Sequence, residues 1–113
     1  MANNFKNAVK TNIALDSGTY TTIYQSPASK VSIILECDIA NTTASAIDAS
    51  VTITDNSTST TSYVVKDAPI PAGGALKVIS GQKIVLEALD NIKAAASAGS
   101  SADCIVSILE YVG

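Results

Sequence analysis

The chain contains no His, no Arg and no Trp. Each absence removes a class of chemistry. Histidine is the usual general base near neutral pH, so acid–base and triad-type nucleophilic catalysis lose their common partner. Arginine supplies the planar fork that grips phosphate or carboxylate at two points. Charge is also scarce, at 15% of residues, and seven Lys against ten acids leave a net charge of −3. A weakly acidic surface does not attract a phosphate backbone, so no nucleic-acid partner is expected. Long apolar runs are missing as well. Stretches such as Ile33-Ile34-Leu35 and Val64-Val65 fall far short of the ~20 residues of a membrane-spanning helix, so no membrane partner is expected. Residues 1–10 are polar and hold no apolar run of signal-peptide type. That predicts synthesis and assembly in a reducing cytoplasm.

Cysteine is limited to Cys37 and Cys104. Two Cys without His make no zinc site, and no metal or cofactor is expected. The pair reads either as a disulfide bridging two sheets or as two small buried thiols. Cytosolic disulfides are rare and free Cys is among the most buried residue types, so the thiol reading is preferred.

The residues that are present favour strands. Hydrophobic residues make up 47%, but 17 of the 53 are Ala; the large ones are mostly Ile (13), Val (9) and Leu (6). β-Branched side chains are stiff about χ1 and suit a pleated surface, and 11 Thr and 14 Ser add to the same bias. Turn clusters recur every eight to twelve residues with short β-rich runs between them. The runs fall at 7–15, 20–25, 30–40, 49–55, 62–66, 75–79, 83–88, 92–97 and 103–111. In the strongest, Val31, Ile33, Leu35, Cys37 and Ile39 alternate with Ser32, Ile34, Glu36 and Asp38. Period-2 alternation assigns the first set to the core. Ile34 breaks the pattern and is expected to make a second contact. Val51 and Ile53 likewise alternate with Thr52 and Thr54. Ala94-Ala95-Ala96 has helical propensity, but three residues between turns cannot nucleate a helix.

The fold class expected is all-β: an antiparallel two-sheet β-sandwich of 8–9 strands. Immunoglobulin-like and jelly-roll connections both fit the spacing. A chain of 113 residues fits one domain, divided into an N-terminal arm over 1–6 and a single sandwich over 7–113.

Candidate chemical sites are weak throughout. Asn41-Thr42-Thr43 and Asn56-Ser57-Thr58 match the glycosylation pattern, but read as polar loop tips. Glu36 and Asp38 lie about 7 Å apart on one strand face, a separation suited to paired carboxylates. With so few aromatics they read as a solvated acidic face. Gly73-Gly74 lacks the Lys and helix start of a phosphate loop and reads as a turn. None of the hydroxyls is paired with an evident base. The chain is therefore not expected to be an enzyme.

Several segments, taken together, resemble a family. They are Phe5-Lys6-Asn7-Ala8, Ser26-Pro27-Ala28-Ser29-Lys30, Val31-Ser32-Ile33-Ile34-Leu35-Glu36-Cys37, and Asp38-Ile39-Ala40-Asn41-Thr42-Thr43. Later come Pro69-Ile70-Pro71-Ala72-Gly73-Gly74-Ala75-Leu76, Gln82-Lys83-Ile84-Val85-Leu86-Glu87-Ala88 and Ser107-Ile108-Leu109-Glu110. Nearly the whole chain is similar to small virion structural proteins of tailed phages, particularly those of marine bacteria and cyanobacteria. The resemblance implies a capsid decoration (cement) protein, or a tail, collar or fibre-associated protein. It implies many copies on a particle, a homo-oligomer there, and the major capsid protein or tail proteins as partners. It transfers no catalytic residue. The polar arm Ala2, Asn3, Asn4, Phe5 and Lys6 is the candidate interface, and the small-residue loops 42–46 and 98–102 are candidate packing surfaces. A separate reading is a carbohydrate-binding host-attachment module, with Tyr20, Tyr24, Tyr63 and Tyr111 as stacking candidates.

Overall fold

The computed structural model describes residues 3–111, with side chains over 4–110, and among these residues there are eight strands and no helix. The strands are β1 (Asn3–Lys10), β2 (Thr21–Gln25), β3 (Val31–Asn41), β4 (Ile47–Asp55), β5 (Thr60–Ile70), β6 (Ala75–Leu86), β7 (Asn91–Ala96) and β8 (Ala102–Tyr111). They form two four-stranded sheets, ordered β1-β8-β3-β6 and β2-β7-β4-β5. Every strand pair is antiparallel. The chain is an all-β sandwich.

The pairing is nested. β4 joins β5, β3 joins β6, β2 joins β7 and β1 joins β8. A long ribbon of four hairpin-linked pairs has rolled up on itself, which is the jelly-roll connection. An immunoglobulin-type sandwich pairs its first two strands in one sheet; here β1 and β2 lie in different sheets. The pairing thus selects between the two connectivities that spacing alone left open.

The core lies between the sheets. Ile34, Ile39, Ile70, Leu86, Ile92, Val51, Val106 and Ile108 are buried there, with Ile13 entering from the loop before β2. Three features differ from the sequence reading. Residues 3–6, expected in a free arm, run in β1: Asn4, Phe5 and Lys6 pair with Glu110, Leu109 and Ile108. Ala2 lies outside the described residues. The runs at 75–79 and 83–88 are one strand, β6. Its register jumps from Ser80 opposite Glu36 to Ile84 opposite Ile34, so Gly81, Gln82 and Lys83 face Leu35 alone. Gly81 has φ +79°, a left-handed value that glycine adopts at no steric cost, and it absorbs the bulge without ending the strand.

The third difference concerns β3. The assignment of Val31, Ile33, Leu35, Cys37 and Ile39 to the core is half right. Ser32, Ile34, Cys37 and Ile39 are the buried residues, while Val31 is exposed and Ile33 half-buried. The register of β3 slips between Ile34 and Glu36 against both neighbours. One extra residue, Leu35, inverts the in–out alternation. Ile34 does not break the pattern; it marks where the phase changes.

This phase has a measurable consequence. Ile34→Ala removes a fully buried side chain and is expected to cost about 2–5 kcal/mol in urea unfolding. Val31→Ala, on the opposite face, is expected to stay within about 0.5 kcal/mol of the parent. The reverse order would overturn the bulge.

Candidate functional site

The β3 bulge places apolar side chains on the outer face of the first sheet. Register aligns Val85, Ile33, Leu109 and Phe5 in one row across β6, β3, β8 and β1. A second row ends in Ile105 and Val9. Phe5 is 75% exposed and Val85 56%; Val9, Ile105 and Val31 are also exposed. Among the described residues, five of the eight exposed large hydrophobics thus share one sheet face. Between the rows lies a shallow recess of about 370 Å³, lined by Phe5, Lys6, Asn7, Leu35, Ser107 and Ile108. Of the expected interface residues, Phe5 lies on this face, at its β1 edge. Lys6 instead turns its ammonium to Glu110, 3.4 Å away. Sequence reading missed Val9, Val31, Ile33, Val85, Ile105 and Leu109. The visible signal was Ile34, whose position demands that its neighbours face the other way.

Beyond Ile105 the same face turns polar. Lys77 Nζ stands 3.6 Å from Glu36 and 3.8 Å from Asp38. Hydrogen bonding to Asp38, then the Lys77 charge, holds the Glu36 carboxyl below the usual carboxylate range. Burial and the Glu36 charge push Asp38 up. The two acids share a lysine at the end of the apolar rows.

The outer face of the second sheet is different in kind. Its rows read Thr22, Lys93, Thr52, Tyr63 and Gln25, Asn91, Thr54, Thr61. Tyr20 enters from the loop before β2, and its hydroxyl reaches to 3.4 Å from that of Tyr63. Burial, the Tyr63 hydroxyl and Asp16 push the Tyr20 hydroxyl pKa up. Gly18, Tyr20, Thr52, Thr54, Thr61, Tyr63 and Lys93 line a recess of about 370 Å³. Of the four tyrosines considered as stacking residues, the structure brings Tyr20 and Tyr63 together. The side chain of Tyr111 lies outside those described.

Tyr24 belongs elsewhere. A bulge between Thr22 and Tyr24 sets Tyr24 opposite Ile92, on the inner face. Its hydroxyl donates to Glu110 and meets Ser32 Oγ at 2.9 Å, and Ser32 meets Ser26 Oγ at 2.9 Å. Glu110 is buried between the sheets with Tyr24 and Lys6 as partners. The Tyr24 bond holds Glu110 below the usual carboxylate range, aided by the charge of Lys6. Burial, then the Glu110 bond, pushes Tyr24 up to about 12. This network ties β2 of one sheet to β1, β3 and β8 of the other.

The remaining sequence features are structural. Cys37 and Cys104 are buried free thiols with sulfurs 3.8 Å apart. They sit on neighbouring strands of one sheet, so they do not face each other across the sandwich. Asn41 is not a loop tip. It is buried; its amide donates to the carbonyls of Ser45, Ile70 and Pro71, and its carbonyl accepts from Thr43. The loops at 42–46 and 98–102 bond to each other through Thr42 and Ser101.

No family model and no curated protein matches the chain. Among solved structures, it is similar to a chain in the structure of infectious bursal disease virus, Gx strain, at 11% identity and a TM-score of 0.38; 95% of this chain and 32% of that one are covered. It is also similar to a chain in the crystal structure of the infectious bursal disease virus VP2 subviral particle, at 10% identity and a TM-score of 0.29, covering 96% and 40%. The chain thus spans between a third and two-fifths of the length of those proteins.

The network sets the pH response. The folded-state pKa of Glu110 is depressed, so its stabilisation is present above the unfolded value near 4.3 and is lost as pH falls through the folded value. Tyr24 is raised, so its contribution is present below the unfolded value near 10 and is lost as pH rises through about 12. Urea midpoints measured across pH are expected to fall on both limbs. Glu110→Gln should flatten the acid limb and Tyr24→Phe the alkaline one. At neutral pH, Tyr24→Phe should also cost about 1–3 kcal/mol, because it leaves Glu110 short of a partner. The thiols are expected to resist alkylation until denaturant is added. The intact mass under non-reducing conditions should retain both thiol hydrogens; a mass lower by two hydrogens would show a disulfide.

Proposed function

We propose that the chain is a structural component of a virus particle, in the first place a decoration protein seated on the outer capsid of a tailed phage. The observation that supports this reading is the apolar outer face of the β1-β8-β3-β6 sheet, with Phe5, Val9, Val31, Val85 and Ile105 uncovered. Exposed apolar side chains concentrated on one face, here in two rows flanking the polar row Ser80, Glu36, Ser107 and Asn7, mark a place where a partner binds. The partner we assign is the neighbouring major capsid protein. Capsid domains are among the proteins built on jelly-roll connections, as are lectins.

The mode of action is passive. Four strands spaced about 4.8 Å over an overlap of roughly 27 Å give a footprint on the order of 500 Å². That is below the ~800 Å² per side of a standard interface, so the face alone makes a modest contact. The open edges of β1 and β6 supply further backbone hydrogen bonds. Copies linked as a homo-oligomer would convert weak single contacts into firm occupancy. The missing His and Arg, and carboxylates already held by Lys77 or Tyr24, fit binding without reaction. A tail, collar or fibre-base position would use the same face on a different partner.

Quantitative mass spectrometry of purified particles separates these positions. A head decoration protein is expected at hundreds of copies; a few dozen or fewer would move it to the tail. The double variant Phe5→Asp, Val85→Asp exchanges exposed side chains, so it should fold with a parent-like melt yet be lost from particles. Parent-level occupancy by that variant would overturn the docking face.

A further inference from the structure

The recess on the opposite sheet is not used by that reading. Thr52 lies on the outer face, between the inward Val51 and Ile53, yet it is only 5% exposed. A side chain on an open sheet face would be wet; Thr52 instead sits between its cross-strand neighbours Tyr63 and Lys93, and with Tyr20 they line one recess. The result is a built recess with a hydroxyl floor. Thr54 and Thr61 extend the floor, their hydroxyls 2.9 Å apart. Tyr63 forms a half-exposed rim, with Lys66 Nζ 5.4 Å from its ring centroid. Its volume of about 370 Å³ falls in the range of small-molecule sites, ~300–1,000 Å³.

The lining selects the ligand. Five of the seven lining residues carry hydroxyls, each able to donate and accept a hydrogen bond. Such a set matches a polyol, whose own hydroxyls do the same. Lys93 is the one charged lining residue, and among the described residues no carboxylate lies within ion-pair distance of it. A half-buried lysine without a salt-bridge partner among the described residues is a candidate contact for one anionic group. The second cation, Lys66, stands at the rim. A phosphate would find donors only in side-chain hydroxyls and amines here, without Arg or a helix N-terminus.

We propose that this recess binds an acidic saccharide: Lys93 pairs its carboxylate, Thr52, Thr54 and Thr61 exchange hydrogen bonds with its hydroxyls, and Tyr20 and Tyr63 flank the sugar ring. The recess and the apolar face lie on opposite outer surfaces of the sandwich. A copy docked through the apolar face therefore presents the recess outward, where a host-surface glycan is met. The binding proposal itself rests on the recess alone and stands or falls independently of virion docking.

The test uses the full chain on an array of sialylated and uronic-acid glycans with matched neutral glycans. The best acidic hit is then titrated into ¹⁵N-labelled protein. Binding to acidic members is expected, with shifts centred on Thr52, Thr54, Tyr63 and Lys93. Lys93→Gln and Tyr63→Ala should each weaken binding at least tenfold, Lys93→Arg should restore most of it, and Phe5→Asp should leave it unchanged. Thermal melts confirm that each variant is folded. A blank array, equal binding of the neutral counterparts, shifts clustered elsewhere, or parent-like binding by folded Lys93→Gln would each overturn the proposal.

Discussion

One extra residue in the central strand governs the rest of this sandwich. β3 lies between β8 and β6 and contributes to everything the first sheet does. Up to Ile34 its even-numbered residues face the core; beyond Leu35 the odd-numbered ones do. Without the bulge, burying Ile34 would also bury Glu36 and Asp38 against the second sheet, a cost of several kcal/mol per uncompensated charge. Keeping Cys37 and Ile39 inward would instead turn Ile34 out and Val31, Ile33 and Leu35 in. With the bulge, Ile34 and, beyond it, Cys37 and Ile39 all face the core. The bulge leaves the acids outside with Lys77 and puts Val31 and Ile33 on the surface. The exposure of Val31 and Ile33 is thus the counterpart of burying Ile34.

The same phase carries Ser32 inward, at the end of the sandwich where Glu110 is buried. A buried carboxylate is tolerated only when its oxygens are bonded. Ser32 and Ser26 hold the Tyr24 hydroxyl in place, Tyr24 donates to Glu110, and Lys6 completes the set. Lys6 reaches Glu110 because β1 is an edge strand. Its inward residues Asn4, Lys6 and Lys10 sit where the core is open to water, so polar residues fit there as Ala8 does further in. The polar character that made residues 3–6 look like a free arm is therefore the signature of an edge.

What was legible follows from local physics. Ile and Val between turn clusters marked a run in each of the eight strands, with β6 divided into two, and Thr52 and Thr54 were set on the correct face by alternation alone. Pro69, which lacks the N–H that a central strand needs, lies in β5 at a sheet edge. What was hidden depends on partners distant in sequence. Gly81 reads as a turn until the register of β3 shows it as a bulge. Asn41 reads as a loop tip until the carbonyls of Ile70 and Pro71 arrive to bury it. The jelly-roll order itself is a set of pairings such as β1 with β8, which no local window contains. Of the two outer faces, the aromatic residues of the recess were named among four tyrosines. The apolar face was not foreseen, because it required the bulge.

The alanine content, the least informative feature of the composition, has its explanation in the recess. β7 carries Ala94, Ala95 and Ala96, all buried. Ala94 and Ala96 pack in the core, so small side chains there let the two sheets approach. Ala95 faces outward and is still only 1% exposed. Register explains the cover. Thr21 pairs with Ala94, which sets Tyr20 beside Ala95, and Ala95 pairs onward with Ser50. The Tyr20 hydroxyl interacts with Ser50 and Tyr63 on the far side of β7. Its ring must therefore cross the sheet over Ala95. Any longer side chain at that position would lift the ring and separate it from Tyr63, opening the wall of the recess. A residue that is helix-forming by propensity is thus held in a strand by close approach on both of its faces. The smallness of Ala95 is what lets one tyrosine cross β7 and wall the recess.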